Sequence, residues 1–318
     1  MPQVDFNISQ RIKQIDAPGK KLAELGEKHK NIVVVNADLG ITNRSKAFYL
    51  AFPERSFDVG IAEQNMVSFA AGLAHEGYMP FVFTMAPFLT MRACEQVRTD
   101  ICYGGYPVRL MGNATGYASG VSGATHCGLE DVAIMGSMGG MTVVEGCDFE
   151  QASQILEASI EHKGPMYIRV ASESEETLYN HPTFEIGKAQ VAIDGDDGAF
   201  LVSGVTVKFA MEAARRIKEE TGKAIRVVNF PTIKPIDKEA VASAAKTGRV
   251  IAAQDHSVVG GLGFYAGTAI AESGVGCKYE ILGAPDKYVP LATTPFLYRT
   301  NEYDADGLYK HMMAMLAD

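Results

Sequence analysis

Short β-branched runs alternate with longer stretches of helical periodicity from Asn31 onward. A parallel sheet with crossover helices requires such an alternation. The predicted strands of this first part are Asn31–Asn36, Met79–Thr84, Val108–Met111, Met141–Val144 and Met166–Val170. The predicted helices between them are Ala62–Ala74, Phe88–Ile101, Glu130–Met135 and Phe149–Ala158. Residues 1–178 are therefore expected to form a doubly wound α/β domain.

The alternation then breaks across residues 179–196, which contain His181-Pro182 and end in a turn-like Asp/Gly run, so a linker is predicted. The pattern resumes beyond it. The predicted strands are Ala199–Val202, Ala224–Val228, Arg249–Gln254 and Lys278–Leu282, and the predicted helices are Met211–Glu219, Asp237–Lys246 and Asp304–Leu316. Residues 197–318 are expected to form a second, smaller domain. The predicted fold class is α/β, with two doubly wound parallel-sheet domains.

The composition argues against several kinds of partner and site. A net charge of −9 argues against a nucleic-acid partner, so any anionic cofactor has to be held locally. The five cysteines show no CxxC spacing, and neither a disulfide framework nor a metal site is expected. No run approaches the ~20 apolar residues that span a bilayer, and no secretory leader is evident. The cytoplasm is the expected compartment.

Glu63 is the first candidate for chemistry. Ligands of open parallel sheets bind at the carboxyl ends of strands, and Glu63 lies in a loop that leads into a helix of small and apolar residues. A poorly solvated carboxylate there could share a proton with a heterocyclic nitrogen. An exposed carboxylate stabilised by the helix dipole is the alternative. Local sequence leaves both interpretations open.

A long Gly/Ser/Ala-rich loop, residues 112–128, follows the third predicted strand and contains His126. Loops of this length and composition usually bind a ligand, although His126 could equally be an ordinary residue at a helix start.

Two apolar residues form another candidate site. Met85 and Phe88 lie three residues apart after another strand, and they form either core packing or an apolar slot for an aromatic ring.

Four segments of the chain resemble the transketolase family, and the resemblance covers almost the whole chain. Ala62-Glu63-Gln64-Asn65-Met66-Val67-Ser68 is similar to that family's pyrimidine-binding motif, and Gly112–Asp131 is similar to its substrate loop. Thr232–Asp237 and Asp255–Gly263 resemble its C-terminal domain. The resemblance implies a thiamine-diphosphate pyrimidine-binding domain followed by a transketolase C-terminal domain.

The resemblance also implies roles for individual residues. In the family, a glutamate hydrogen-bonds the aminopyrimidine N1′ of thiamine diphosphate and so assists deprotonation of the thiazolium C2; Glu63 takes that position. Phe88 would stack on the pyrimidine, and Met85 stands where another aromatic residue often lies. Asp38 resembles an acidic residue near the cofactor at the subunit boundary. His126 falls where the family contacts substrate beside the reactive carbon.

One family feature is missing from this chain. Full-length transketolases hold Mg2+ and the diphosphate with a Gly-Asp-Gly motif and a downstream asparagine, which this sequence lacks. The resemblance therefore implies a partner, an N-terminal transketolase subunit that carries the metal and diphosphate site. A heterotetramer with two copies of each chain is expected, and this chain alone is expected to be inactive.

The substrate positions also depart from the family pattern. Ala114 replaces a histidine, Ser122 replaces an aspartate that reads hydroxyl stereochemistry, and Ser172 replaces an arginine. The expected reaction is transfer of a two-carbon ketol unit from a ketose with a non-standard distal end to an aldose. The alternatives are the β subunit of a 2-oxo acid dehydrogenase and a non-catalytic regulatory module of the same fold. Deoxyxylulose-phosphate synthase is a closer relative than the 2-oxo acid dehydrogenase, but this assignment would not explain why the chain is split.

Overall fold

The computed structural model describes residues 17–39, 45–170, 176–288 and 290–317. Twelve strands and eleven helices of these residues are numbered in chain order, with α4 taken as one irregular helix. Two short 3-10 turns, Pro53–Arg55 and Gly120–Ser122, are left unnumbered. The first half contains α1 (Ala17–Lys28), β1 (Ile32–Asn36), α2 (Lys46–Ala51), β2 (Ser56–Asp58), α3 (Glu63–His75), β3 (Met79–Met85), β4 (Arg109–Asn113), α5 (Asp131–Gly136), β5 (Thr142–Glu145), α6 (Phe149–Glu161) and β6 (Met166–Val170). Helix α4 lies between β3 and β4 and consists of three consecutive segments, Phe88–Arg92, Cys94–Gln96 and Val97–Cys102.

The second half contains the remaining strands and helices. They are β7 (Gln190–Ile193), β8 (Gly198–Val202), α7 (Thr206–Thr221), β9 (Ile225–Asn229), β10 (Thr232–Lys234), α8 (Lys238–Ala245), β11 (Arg249–Ser257), α9 (Leu262–Ser273), β12 (Lys278–Ala284), α10 (Thr294–Thr300) and α11 (Ala305–Ala317). Among the described residues, no helix is both long and apolar enough to cross a membrane.

Two sheets organise these elements into two α/β domains, as the sequence predicts. The first sheet has the strand order β10-β5-β6-β4-β3-β1-β2, and the second has the order β12-β11-β8-β9-β7. The central strands are parallel and buried on both faces; every residue of β1 and β6 is buried. Continuous apolar runs such as residues 32–35 of β1 fit this position, since helices cover both sides of the sheet.

Two edge strands differ from the purely parallel prediction. Strand β10 leaves the second half of the chain and pairs antiparallel with β5 of the first sheet, with Thr232 opposite Val144. Strand β7 pairs antiparallel with β9 and lies inside residues 179–196, the segment predicted to be a linker. Both are three or four residues long, too short for a periodic pattern, and their partners are distant in sequence.

A buried ionic cluster joins the domains. The Arg169 guanidinium at the end of β6 donates to both carboxylate oxygens of Asp131, at 2.8 and 3.1 Å, and to the Glu145 carboxylate. It also donates to the backbone carbonyl oxygen of Asp255 on β11, at 3.0 Å. Burial alone would lower the pKa of Arg169, but Asp131 and Glu145 outweigh burial and raise it. Arg169 therefore remains charged and fixes β11 against the first sheet.

Candidate active site

Glu63 is the first residue of α3, at the carboxyl edge of the first sheet, and its side chain is only 2% exposed. Met66, Val67 and Ala70 pack the helix onto the sheet and hold its first turn there. The preceding turn requires a positive φ of 74° at Gly60. This burial excludes the surface-carboxylate interpretation of Glu63.

Arg92 is the charged partner of this buried carboxylate. Its Nη1 donates to Glu63 Oε2 at 2.8 Å, while 46% of the Arg92 side chain is exposed. The first segment of α4 is a wide, π-helical turn, a form often found at functional sites. The turn places Arg92 beside Phe88, and the guanidinium carbon lies 4.3 Å from the Phe88 ring centroid.

His126 reaches the same cluster from the long loop. Its ring meets the Phe88 ring edge-on, with 5.4 Å between the centroids. Thr125 Oγ1 lies 2.8 Å from His126 Nδ1 and fixes the orientation of the imidazole. Arg92 contacts both Glu63 and Phe88, and Phe88 contacts His126. The fold thus brings together three predicted residues that are far apart in sequence.

The second domain holds the loop that presents His126. Asp255 on β11 is fully buried, and its carboxylate accepts hydrogen bonds from the Tyr117 backbone N–H and from the hydroxyls of Tyr298 and Tyr303. Burial raises the pKa of Asp255 to about 6. At the neck of the loop, Gly116 N donates to Gly128 O at 2.7 Å. The loop is therefore closed at its base and tied to the second domain.

Gly116 lies against the Asp255 carboxylate so closely that no side chain fits between them. Its φ is +57°, and a Cβ built on it would lie 2.1 Å from Asp255 Cγ. Only glycine satisfies both the backbone conformation and this approach. The loop's glycine content is therefore a packing requirement at this position.

Comparison with known proteins decides the family. Residues 10–174 match the family model described as the transketolase pyrimidine binding domain, and residues 187–301 match the transketolase C-terminal domain. This chain belongs to the transketolase family.

Three relatives show how this transketolase-family chain compares in length. The 6-deoxy-6-sulfo-D-fructose transketolase subunit SqwH of Clostridium sp. is 38% identical, and the match covers 87% of this chain and 86% of that protein. An apulose-4-phosphate transketolase subunit of Phocaeicola vulgatus is 34% identical over 91% of this chain and 93% of its own length. A solved structure, described as a split gene transketolase in an inactive beta4 tetramer, has a TM-score of 0.84 and 33% identity, covering 95% of this chain and 97% of that one. These matches favour a transketolase subunit over the 2-oxo acid dehydrogenase alternative.

The other positions carried over from transketolases lie at varying distances from this cluster. Asp38 is exposed and has a positive φ of 56°. Its backbone N–H and that of Gly60 both donate to Asp58 Oδ1. These two hydrogen bonds connect Asp38 to the loop before Glu63. Met85 ends β3 and pairs in register with Asn113, immediately before Ala114.

Ala114 has a φ of +56°, and its carbonyl accepts from Gly128 N at the neck of the loop. Ser122 is exposed on a short helical turn at Gly120–Ser122. The carbonyl of the next residue, Gly123, accepts from His126 N at 2.9 Å. Ser172 lies outside the described residues.

Three residues of the site have no counterpart among the predicted ones: Arg92, Asp58 and Asp255. Arg92 was detectable, since it follows Phe88 by one helical turn and side chains so spaced share a helix face. Asp58 and Asp255 act through backbone N–H groups of other segments. No local pattern reveals such contacts.

The residues present fit the aminopyrimidine part of thiamine diphosphate. A flat heterocycle needs an aromatic face and a carboxylate screened from water, and Phe88 and Glu63 provide both within one cluster. The described residues contain one group that resembles a metal site, Cys147, Asp148 and His181. However, Asp148 already accepts from His181 Nε2 and from two backbone N–H groups, and burial raises the pKa of the Cys147 thiol. This group is better explained as a hydrogen-bonded contact that holds residues 178–181 at the start of α6.

Proposed function

We propose that this chain is the pyrimidine-binding subunit of a split transketolase. It transfers a two-carbon ketol unit from a ketose to an aldose, using thiamine diphosphate. The observation that carries the proposal is the buried Glu63 at the start of α3, clustered with Phe88 and His126. The matches to split-transketolase subunits over nearly the full length of the chain support the same function.

Each side chain of the cluster has a distinct task in this reaction. When bound, thiamine diphosphate supplies the thiazolium carbon that carries the two-carbon unit. Glu63, being screened from water, shares a proton with the pyrimidine N1′. Phe88 provides the stacking face. Because Thr125 is paired with Nδ1, His126 meets the substrate oxygen through Nε2.

The second half of the cofactor site belongs to a partner in this proposal. An N-terminal transketolase subunit holds Mg2+ and the diphosphate, and two copies of each chain assemble so that the cofactor lies between subunits. The division into a pyrimidine-binding domain at 1–178 and a C-terminal domain at 197–318 is kept, with β7 inside the intervening segment. The cytoplasm is the proposed compartment.

The donor is proposed to be a ketose whose distal end differs from that of common pentose phosphates. Three positions differ from the pattern of ordinary transketolases. Ala114 lacks the imidazole of a histidine, and Ser122 and Ser172 lack the charges of an aspartate and an arginine. Two relatives are named for apulose 4-phosphate and for 6-deoxy-6-sulfo-D-fructose, which supports a donor of a non-standard kind.

A reconstitution experiment tests the proposal. The chain is tagged, purified together with its partner subunit, loaded with thiamine diphosphate and Mg2+, and screened against branched-chain ketose phosphates, sulfonated ketoses and xylulose 5-phosphate with an aldose acceptor. Two-carbon transfer from a non-standard ketose at more than tenfold higher kcat/KM than from xylulose 5-phosphate is expected. Equal or better use of xylulose 5-phosphate would contradict the substrate proposal. Absence of any ketol transfer would contradict the function.

A further inference from the structure

Arg92 makes both contacts that the aminopyrimidine of the proposed cofactor would need. Its Nη1 lies 2.8 Å from Glu63 Oε2, and its guanidinium carbon lies 4.3 Å from the centroid of the Phe88 ring. One group is thus hydrogen-bonded to the candidate catalytic carboxylate and positioned over the candidate aromatic face at the same time.

The two groups are also chemically alike. A guanidinium is planar and donates from nitrogens set around one carbon, and it stacks on aromatic rings. An aminopyrimidine is likewise flat, with nitrogens around a ring carbon, and it stacks in the same way. We propose that Arg92 occupies the aminopyrimidine position in the cofactor-free subunit and is displaced when thiamine diphosphate binds. This inference rests on the proposed function.

The exposures of the two partners determine which one moves. The Glu63 side chain is 2% exposed and is held by the first turn of α3, whereas Arg92 is 46% exposed. Arg92 can therefore rotate into solvent and regain hydration, but Glu63 cannot. Once Arg92 has moved, Glu63 Oε2 and the same face of Phe88 are open to the cofactor ring.

The ion pair also explains how the Glu63 carboxylate can stay buried in a subunit that has neither cofactor nor partner. A buried carboxylate without a compensating charge is costly, and Arg92 is the only cation paired with Glu63 among the described residues. In the free subunit Arg92 therefore stabilises Glu63 and excludes the cofactor from the same position. Cofactor binding has to break an existing ion pair, which weakens its apparent affinity.

The inference is tested by thiamine diphosphate binding to the copurified complex, measured by titration calorimetry in the presence of Mg2+. Arg92→Met keeps the apolar stem and removes the planar cation. The variant is expected to bind the cofactor about tenfold more tightly, a difference of about 1.4 kcal/mol. The matched control is Arg98→Met, which removes a charge from an exposed position of the same helix and is expected to leave the Kd unchanged.

A double-mutant cycle on the isolated chain provides a second readout that needs neither cofactor nor turnover. Arg92→Met is expected to lower the melting temperature. The loss is expected to be smaller when Glu63→Gln is already present, since only the contact with Phe88 then remains. The full loss in the Glu63→Gln background would contradict the contact itself.

The outcomes separate this inference from the proposed function. If the wild-type complex fails to bind thiamine diphosphate, the proposed function is wrong. If the wild-type complex binds it and Arg92→Met binds equally or more weakly, Arg92 is a neutral bystander or a cofactor ligand, and displacement is refuted while the function stands.

Discussion

At the scale of single residues, burial decides what Glu63 is. The sequence allows either an exposed helix-start carboxylate or a screened one, because both occur before the same small and apolar residues. The structure leaves 2% of the side chain exposed and pairs its carboxylate with the Arg92 guanidinium. A carboxylate in that setting is suited to proton exchange with a bound heterocycle.

Replacing Glu63 by glutamine tests this role directly. The amide keeps the shape and can still hydrogen-bond a ring nitrogen, but it cannot accept a proton. We expect kcat of the reconstituted complex to fall at least ~100-fold, the range seen when acid–base groups are removed. The control is Glu76→Gln, an exposed residue at the other end of α3, which should retain wild-type kcat. Retained activity in Glu63→Gln would remove the basis of the mechanism.

At the scale of elements, prediction succeeded where pattern and environment agree. The central strands are long enough to show apolar runs, and β6, predicted at Met166–Val170, has those bounds in the structure. β7 and β10 were not predicted as strands, because their edge positions depend on backbone pairing rather than on side-chain pattern. Glu63, Phe88 and His126 came from motifs, whereas Asp255 depended on a tertiary contact that joins β11 to the loop.

The long loop at residues 112–128 gives a prediction at this scale. Gly116→Ala introduces both left-handed strain and a clash with Asp255, whereas Gly105→Ala, at a φ of +65° with open space around it, introduces strain alone. We expect Gly105→Ala to cost ~1 kcal/mol of unfolding free energy and Gly116→Ala at least ~3 kcal/mol. Since the loop presents His126, Gly116→Ala should also lower kcat/KM. Urea denaturation and steady-state kinetics measure both quantities, and equal stability of the two variants would rule out the proposed fit against Asp255.

At the scale of the whole molecule, the two domains are joined by buried polar contacts around the long loop at residues 112–128. Arg169 connects β6 to β11, and Asp255 connects β11 to Tyr117. The next residue of β11, His256, accepts from Val132 N of the first domain at 3.2 Å. The C-terminal domain thus positions the loop that carries His126 without itself contributing the residues proposed for catalysis.

His256 makes this junction sensitive to acid. Its Nδ1 donates to Ser257 O at 2.8 Å and its Nε2 accepts from Val132 N, so both nitrogens are used by the neutral ring. Burial lowers the pKa of His256 from 6.5 to about 4. A depressed pKa means that the unfolded chain binds the proton more readily. The stability that His256 provides is therefore complete above pH 6.5 and is lost as the pH falls toward 4.

The expected contribution is roughly 3 kcal/mol across that window. His256→Gln retains an acceptor for Val132 N but does not titrate, so its unfolding free energy should fall less than that of the wild type between pH 6.5 and 4. Asp255, with a raised pKa of about 6, has the opposite slope, but it is present in both proteins and cancels in the difference. Urea titrations over this pH range measure the difference, and parallel curves for wild type and His256→Gln would show that the junction does not sense acid through this ring.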